Sequence, residues 1–205
     1  MNKKWLGCGG LVVLGLIVGL WAVGLYNGLV SGNEKVNEAW AQVENVYQRR
    51  ADLIPNLVET VKGSAGFEQT TLQNIVDARS RVGQVSADSS ILSDPAKFAQ
   101  FEQAQGQLSS ALSRLLVVVE NYPDLKSTVA FRDLMSQLEG TENRISVERK
   151  RFNEVARDWN VQVKRFPTSL FIRLLGWDFR DKAYFTAQPG AETAPKVDFN
   201  SGANR

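Results

Sequence analysis

The chain of 205 residues contains no histidine and only one cysteine, Cys8. Without histidine it lacks the commonest general base, the commonest zinc ligand and the usual activator of a serine or cysteine nucleophile. A lone cysteine excludes an intramolecular disulfide, so any outer domain rests on its core alone, and cysteine usage says nothing about redox compartment. An excess of charge of one sign is missing too. The 24 basic and 22 acidic residues leave a net charge of +2, unlike the concentrated basic face of a nucleic-acid binder. No Gly-rich phosphate loop, nucleophile elbow, EF-hand-type acidic loop or metal-spaced cluster is present. Helical di-iron sites need Glu-x-x-His pairs and are excluded with the histidines. No cofactor, metal or nucleic acid is expected, and strand-like alternation of useful length is absent.

An uncharged N-terminal stretch is the strongest positive signal. After Lys4 the next charge is Glu34, and Leu11 to Leu25 reads LVVLGLIVGLWAVGL. Counted from Trp5, about 21 residues at ~1.5 Å each measure roughly 31 Å, against a hydrocarbon core of ~30 Å. Trp5 at one end, and Trp21 with Tyr26 at the other, stand where interfacial aromatics belong. A cleaved signal peptide is the rival, with Lys3 and Lys4 as its basic start and Ala22-Val23-Gly24 as its cleavage site. The apolar run exceeds a usual signal core, and Cys8 precedes it rather than follows it as in a lipoprotein, so an uncleaved anchor over 1–30 is expected. The positive-inside rule then puts the N-terminus in the cytoplasm and the domain outside, although Arg49 and Arg50 weaken the asymmetry. Gly15 and Gly19 form a GxxxG pair compatible with a homo-oligomer, but the many glycines of this stretch make such a match expected by chance.

Beyond Gly32 the pattern is helical. Val36, Trp40, Val43 and Val46 or Tyr47 make one stripe, continued by Leu53, Leu57 and Val61. Pro55 lies inside it, which predicts a kink or a second helix beginning there. Leu72, Ile75, Val76 and Val82 carry helical spacing to Gly83, and Ser86 to Ser93 reads as a polar loop. Ser93-Asp94-Pro95 is a helix start. Phe98, Phe101, Gln105, Leu108, Leu112, Leu115 and Val119 then form a coiled-coil-like seam interrupted once, at Gln105. Asn121-Tyr122-Pro123 ends it. Leu125, Val129, Leu134 and Leu138 mark a further helix, Gly140-Thr141 interrupts or loosens it, and Ile145, Phe152, Val155 and Trp159 face a long charged segment. Phe166-Pro167 terminates that, a short amphipathic piece covers Leu170 to Trp177, and the tail from Ala187 has the composition of disorder. The fold class is all-α: a transmembrane helix, then an elongated antiparallel bundle of four to five helices over 31–186, then a disordered tail over 187–205.

Chemistry is sparse. Glu139, Glu142 and Arg144 read as a charged helix surface, and the run Arg144, Arg149, Lys150, Arg151 as a solvated face with anionic lipid as its alternative contact. The segment Arg49 to Asn56 is the oddest, with arginines, Asp52 and Asn56 around Pro55. Asp52 or Asn56 can satisfy backbone groups freed by the proline while an arginine pairs Asp52. Such a corner is either structural or a place where a partner binds.

At these residues the chain resembles the LemA family of bacterial membrane proteins. The matching segments are Tyr26-Asn27-Gly28-Leu29-Val30, Val36-Asn37-Glu38-Ala39-Trp40, RRADLIPNLVETVKG from Arg49 to Gly63, Asn121 to Lys126, and LEGTENRI from Leu138 to Ile145. Phe152-Asn153 and Trp159-Asn160 look like the family's paired aromatic-Asn positions, with Phe and Trp where tyrosine is typical. Ser64 and Ser127 also depart from the expected Tyr and Ala. The resemblance implies an N-terminal anchor, a helical bundle and no established catalytic residues, with members associated with envelope processes and some with magnetosome membranes. The expected function is a membrane-tethered, non-catalytic scaffold binding another envelope protein. Its expected contacts are Arg49, Arg50, Asp52, Pro55 and Asn56, with Tyr122, Pro123, Glu142, Asn143 and Arg144 nearby. Two alternatives stand beside it: a membrane-shaping or anionic-lipid-binding bundle, and a hydrolase with a carboxylate pair.

Overall fold

The computed structural model describes residues 3–64, 67–85 and 88–186, with side chains from Val12 onward. The side chains of Lys3, Lys4, Trp5 and Cys8 and the tail 187–205 lie outside the described residues. Six helices carry the fold: α1 (Lys3–Lys62), α2 (Gln69–Gln84), α3 (Pro95–Val119), α4 (Pro123–Ser127), α5 (Val129–Lys164) and α6 (Thr168–Leu175). No strand occurs among the described residues. The fold is all-α.

α1 is the backbone of the molecule. Its apolar N-terminal part, including Leu16, Leu20 and Val23, is exposed, and the helix then enters the bundle without a break. The boundary expected near residue 30 therefore falls inside one helix of 60 residues. Past Leu29 its buried seam runs Val36, Trp40, Val43, Tyr47, Arg50, Ile54, Leu57 and Val61, alternating steps of four and three as a packed helical seam requires, with Val58 buried beside it. Ile54, not Leu53, takes the fully buried place. α1 also continues through Pro55, so no new helix begins there. The proline sits on the exposed side.

α5 lies along α1 in the opposite direction, since Trp159 meets Gly32 near the bilayer end and Glu142 meets Arg50 farther out. α2 and α3 pack against each other and close the far half. Asp94 caps α3, accepting from the amides of Ala96 at 3.0 Å and Lys97 at 3.2 Å, as the Ser-Asp-Pro start predicts. Three expectations change. The loop before α3 contains a 3₁₀ turn, Ser89–Ser93, which buries Ile91 and Leu92 under an Asp88 cap. Leu125 belongs to the short α4, and Val129 is exposed, because Thr128 caps a fresh start for α5. Gly140-Thr141 does not interrupt α5; the Thr141 hydroxyl folds back onto the Gln137 carbonyl at 2.7 Å, in the middle of a helix of 36 residues.

The core has two parts. The half nearer the membrane is aromatic, built around Trp40, Phe98, Phe101, Phe152, Trp159 and Phe185. The outer half is largely aliphatic, around Ile54, Leu57, Ile75, Leu108, Leu115 and Leu138. After α6, residues 178–186 run in an extended path back along α5. Asn160 donates to the Lys182 carbonyl at 2.8 Å and accepts from its amide at 2.7 Å. Asn153 does the same for Phe185, at 2.8 and 2.9 Å. The spacing explains the fit: seven helical residues rise ~10.5 Å and three extended residues ~10.2 Å, so both asparagines meet the strap in register. The strap's aromatic end, Phe185, completes the inner core. This is what the paired aromatic-Asn positions do: Phe152 and Trp159 fill the core while Asn153 and Asn160 hold the strap.

Candidate functional site

Between the two halves of the core lies a polar layer. Arg50 occupies a seam position of α1 and is 2% exposed. Its Nη1 donates to the Glu142 carboxylate at 2.9 Å and to the Ser109 hydroxyl at 2.8 Å. Its Nη2 donates to the Gln105 side-chain oxygen in a short contact and to the Gln105 carbonyl at 3.4 Å. The guanidinium also lies 5.1 Å from the centre of the Tyr47 ring. Its Nε is buried without a hydrogen-bond partner among the described residues. One cation thus ties α1, α3 and α5 at a single level, and Gln105, which interrupts the α3 seam, is there to receive it.

Beside this layer opens a cleft of about 370 Å³ lined by Tyr47, Arg50, Glu102, Glu142, Arg149 and Thr186, among others. Arg149 pairs with Glu102 at 3.3 Å and its guanidinium stands 4.2 Å over the Phe185 ring. Burial pushes the Glu102 carboxyl above its ordinary pKa, and Arg149 and the Thr186 backbone only partly offset this. Burial likewise raises Tyr47, with Arg149 and Arg50 pulling the other way. Glu102 and Glu142 are the two carboxylates at this cleft, and each is committed to an arginine. Among the described residues no group of three His, Cys, Asp or Glu side chains could hold a metal ion.

The segment around Pro55 is resolved differently from its expected chemistry. Asp52 pairs with no arginine; it accepts from Gln48 at 2.7 Å. Pro55 deprives the Ala51 carbonyl of its helical donor, and Arg79 of α2 supplies one from Nε at 3.1 Å. Asn56 offers its carbonyl to the Thr60 hydroxyl at 2.8 Å. Arg49, Asp52, Pro55 and Asn56 are exposed on α1, whereas Arg50 is turned into the core. Glu142 joins Arg50, while Asn143 and Arg144 beside it are exposed. Tyr122 and Pro123 stand elsewhere, at the turn from α3 to α4, where Tyr122 packs on Phe67 with ring centres 4.9 Å apart.

Sequence reasoning overlooked Gln105 and Ser109 as partners of Arg50, Arg79 as the answer to Pro55, and Glu102 with Arg149. One signal was available: Arg50 falls on the same four-three alternation as Val43, Tyr47, Ile54 and Leu57.

The model of the LemA family matches residues 39–199. The chain belongs to the LemA family. It is 27% identical over 184 residues to the magnetosome protein MamQ of Magnetospirillum gryphiswaldense, covering 82% of this chain and 67% of that one. Magnetosome protein MamQ 2 of Paramagnetospirillum magneticum is similar to the same extent. Protein LemA of Metamycoplasma hominis is 23% identical over 165 residues, covering 80% and 70%. The part matched by the LemA model contains the polar layer, the cleft and the strap. The exposed apolar part of α1 lies ahead of it, in a helix long and apolar enough to cross a membrane.

Proposed function

We propose that the protein is a membrane-tethered, non-catalytic scaffold whose bundle binds another cell-envelope protein. The observation that carries this is α1 itself, a single helix that leaves the apolar span and becomes the central bundle helix without a hinge. A partner captured on the bundle is therefore held at a set height above the bilayer, and confinement to the membrane raises its effective concentration, so a modest interface suffices. The proposed contact is the exposed stripe Arg49, Asp52, Pro55 and Asn56, extended by Asn143 and Arg144; buried Arg50 acts behind it as a structural tie. The bundle faces the extracytoplasmic side of the inner membrane in this reading, on the strength of Lys3 and Lys4 before the span. A hydrolase with a carboxylate pair is disfavoured because an acid–base pair needs a carboxyl free to exchange protons with substrate, and both cleft glutamates are held by arginines.

The test is site-specific photocrosslinking in living cells from position 56, with position 117 on α3 as control. A discrete adduct from position 56 that disappears in the Arg49→Ala, Asp52→Ala double variant, with helicity unchanged, is the expected result. An adduct indifferent to that double variant rules the stripe out as the contact. Reporter fusions at the C-terminus decide the side of the membrane.

A further inference from the structure

α6 packs on α5 at the inner end of the bundle, where Ile172 meets the aromatic core, and from there it reaches the apolar N-terminal part of α1. Phe171 meets Trp21 edge-on with ring centres 5.5 Å apart, and Trp177 meets Tyr26 at 5.1 Å. Trp21 and Tyr26 are five residues apart on α1, so Phe171 of α6 and Trp177 just after it mark a band ~7.5 Å deep at the bundle end of the span. An amphipathic helix lying in the plane of a bilayer sits about 5–10 Å into the boundary between headgroups and acyl chains.

Apolar side chains on α6, and Phe166 just before it, stand open. Leu174 is 74% exposed and Phe166 75%, and Leu170 and Leu175 are about half exposed. At the same level the lipid-facing side of α1 shows Leu20 and Val23, so the two surfaces are continuous through the Trp21–Phe171 contact. From Lys164 to Trp177 there are three basic residues, Lys164, Arg165 and Arg173, and no acidic one. Lys164 is engaged by Asp181 at 2.7 Å, while Arg165 and Arg173 are exposed. Apolar side chains level with the end of a membrane span, bordered by cations, match the boundary of a bilayer containing anionic phospholipid.

We propose that α6 with Phe166 is a membrane foot: it lies in the interfacial zone of the leaflet under the bundle, Leu170, Leu174 and Phe166 among acyl chains and Arg165 and Arg173 at anionic headgroups. Lipid is the occupant because this face shares depth and continuity with the span, so any other occupant would itself have to be embedded. With one span and one foot side by side, the bundle is held against tilting and rotating as well as at a set height. This rests on the reading of α1 as an uncleaved anchor.

The experiment uses the full chain with Cys8→Ser as background and single cysteines introduced as Leu174→Cys, Leu16→Cys and Val117→Cys. Each is labelled with an environment-sensitive fluorophore and reconstituted into vesicles of phosphatidylcholine and phosphatidylglycerol. Quenching is read with lipid spin-labelled at a shallow acyl position. Position 16 reports insertion of the span, and position 117, 71% exposed on the outer half of α3, reports the aqueous background. Quenching at 174 several-fold above that at 117 is expected, falling when phosphatidylglycerol is omitted and Arg165→Gln, Arg173→Gln is introduced. If 16 is quenched and 174 behaves like 117, the foot is refuted and the anchor stands, and this is also the outcome if a protein covers α6. If 16 is not quenched, anchor and foot fall together.

Discussion

Arg79 donates its Nε–H to the carbonyl of Ala51 at 3.1 Å, the carbonyl that Pro55 leaves without a helical donor. The proline keeps its place in a long helix because a guanidinium from the next helix takes over the missing bond. The exchange also fastens α2 to α1.

Arg79→Ala should therefore be costly only while Pro55 is present. In the natural background it should remove about 0.5–1 kcal/mol, a modest figure because the site is partly open to water. With Pro55→Ala the helical amide returns, that variant alone should be more stable, and Arg79→Ala on top of it should be close to neutral. Thermal unfolding of the four detergent-solubilised proteins closes the cycle. Equal costs in both backgrounds would show that Arg79 does not act on the proline's account.

Arg50 and Glu142 should respond unequally to deletion. Glu142 is 56% exposed and regains water if its partner goes, whereas Arg50 is buried and has no other carboxylate at its hydrogen-bonding distance. Glu142→Ala should then cost about 2 kcal/mol or more, while Arg50→Met with Gln105→Leu, which removes the buried polar groups together, should lie within about 1 kcal/mol of the parent or above it. Denaturant midpoints at matched slopes measure both. The opposite order would mean that the layer is a net source of stability, not a device that sets helix register.

The asparagine clamps should govern release of the strap. Asn153→Ala or Asn160→Ala breaks two hydrogen bonds to strap backbone, and together they should lower the free energy of local opening by about 2–3 kcal/mol. Trypsin cleavage after Arg180 and Lys182 should accelerate by more than about tenfold in the double variant, since cleavage of a rapidly closing segment follows the open population. Unchanged cleavage would locate the strap's stability in its other contacts, among them Phe185 in the core and the Trp159 bond to the Arg180 carbonyl.

Two glycines of α1 that face α5 should separate cleanly. A Cβ at Gly32 would stand 2.9 Å from Gln162 Oε1 and 3.1 Å from Trp159 Cε3. Trp159 is buried and hydrogen-bonded to the Arg180 carbonyl at 2.9 Å, so it cannot simply move aside. Gly32→Ala should cost about 1–3 kcal/mol by overpacking. At Gly28 the nearest atom would be 3.7 Å away, and Gly28→Ala should gain up to about 1 kcal/mol of helix propensity. Melting temperatures moving in opposite directions are the expected readout. A Cβ at Gly15 or Gly19 would meet nothing within 4 Å beyond the helix's own backbone and its chain neighbours, among the described residues.

The features readable along the chain are those whose cause is local. An uncharged stretch of spanning length, a four-three alternation and an Asp-Pro helix start each express themselves within a few residues, because helical geometry and capping act over a turn or two. They determined an apolar N-terminal helix, an all-helical domain and the start of α3. Tertiary structure decided the rest. Arg50 looked like half of an exposed arginine pair because its acceptors lie 55 and 92 residues away, and only the packing of three helices shows that they share one level. The strap has no hydrogen-bonding pattern of its own and reads as coil; it is ordered because a rise of seven residues on α5 equals three on an extended chain. α6 is eight residues with an apolar face, too short to announce its depth, and only the contacts of Phe171 with Trp21 and of Trp177, just after it, with Tyr26 set it beside the span. Periodicity can say that a side chain is turned inward, but what it meets there depends on contacts between segments distant along the chain.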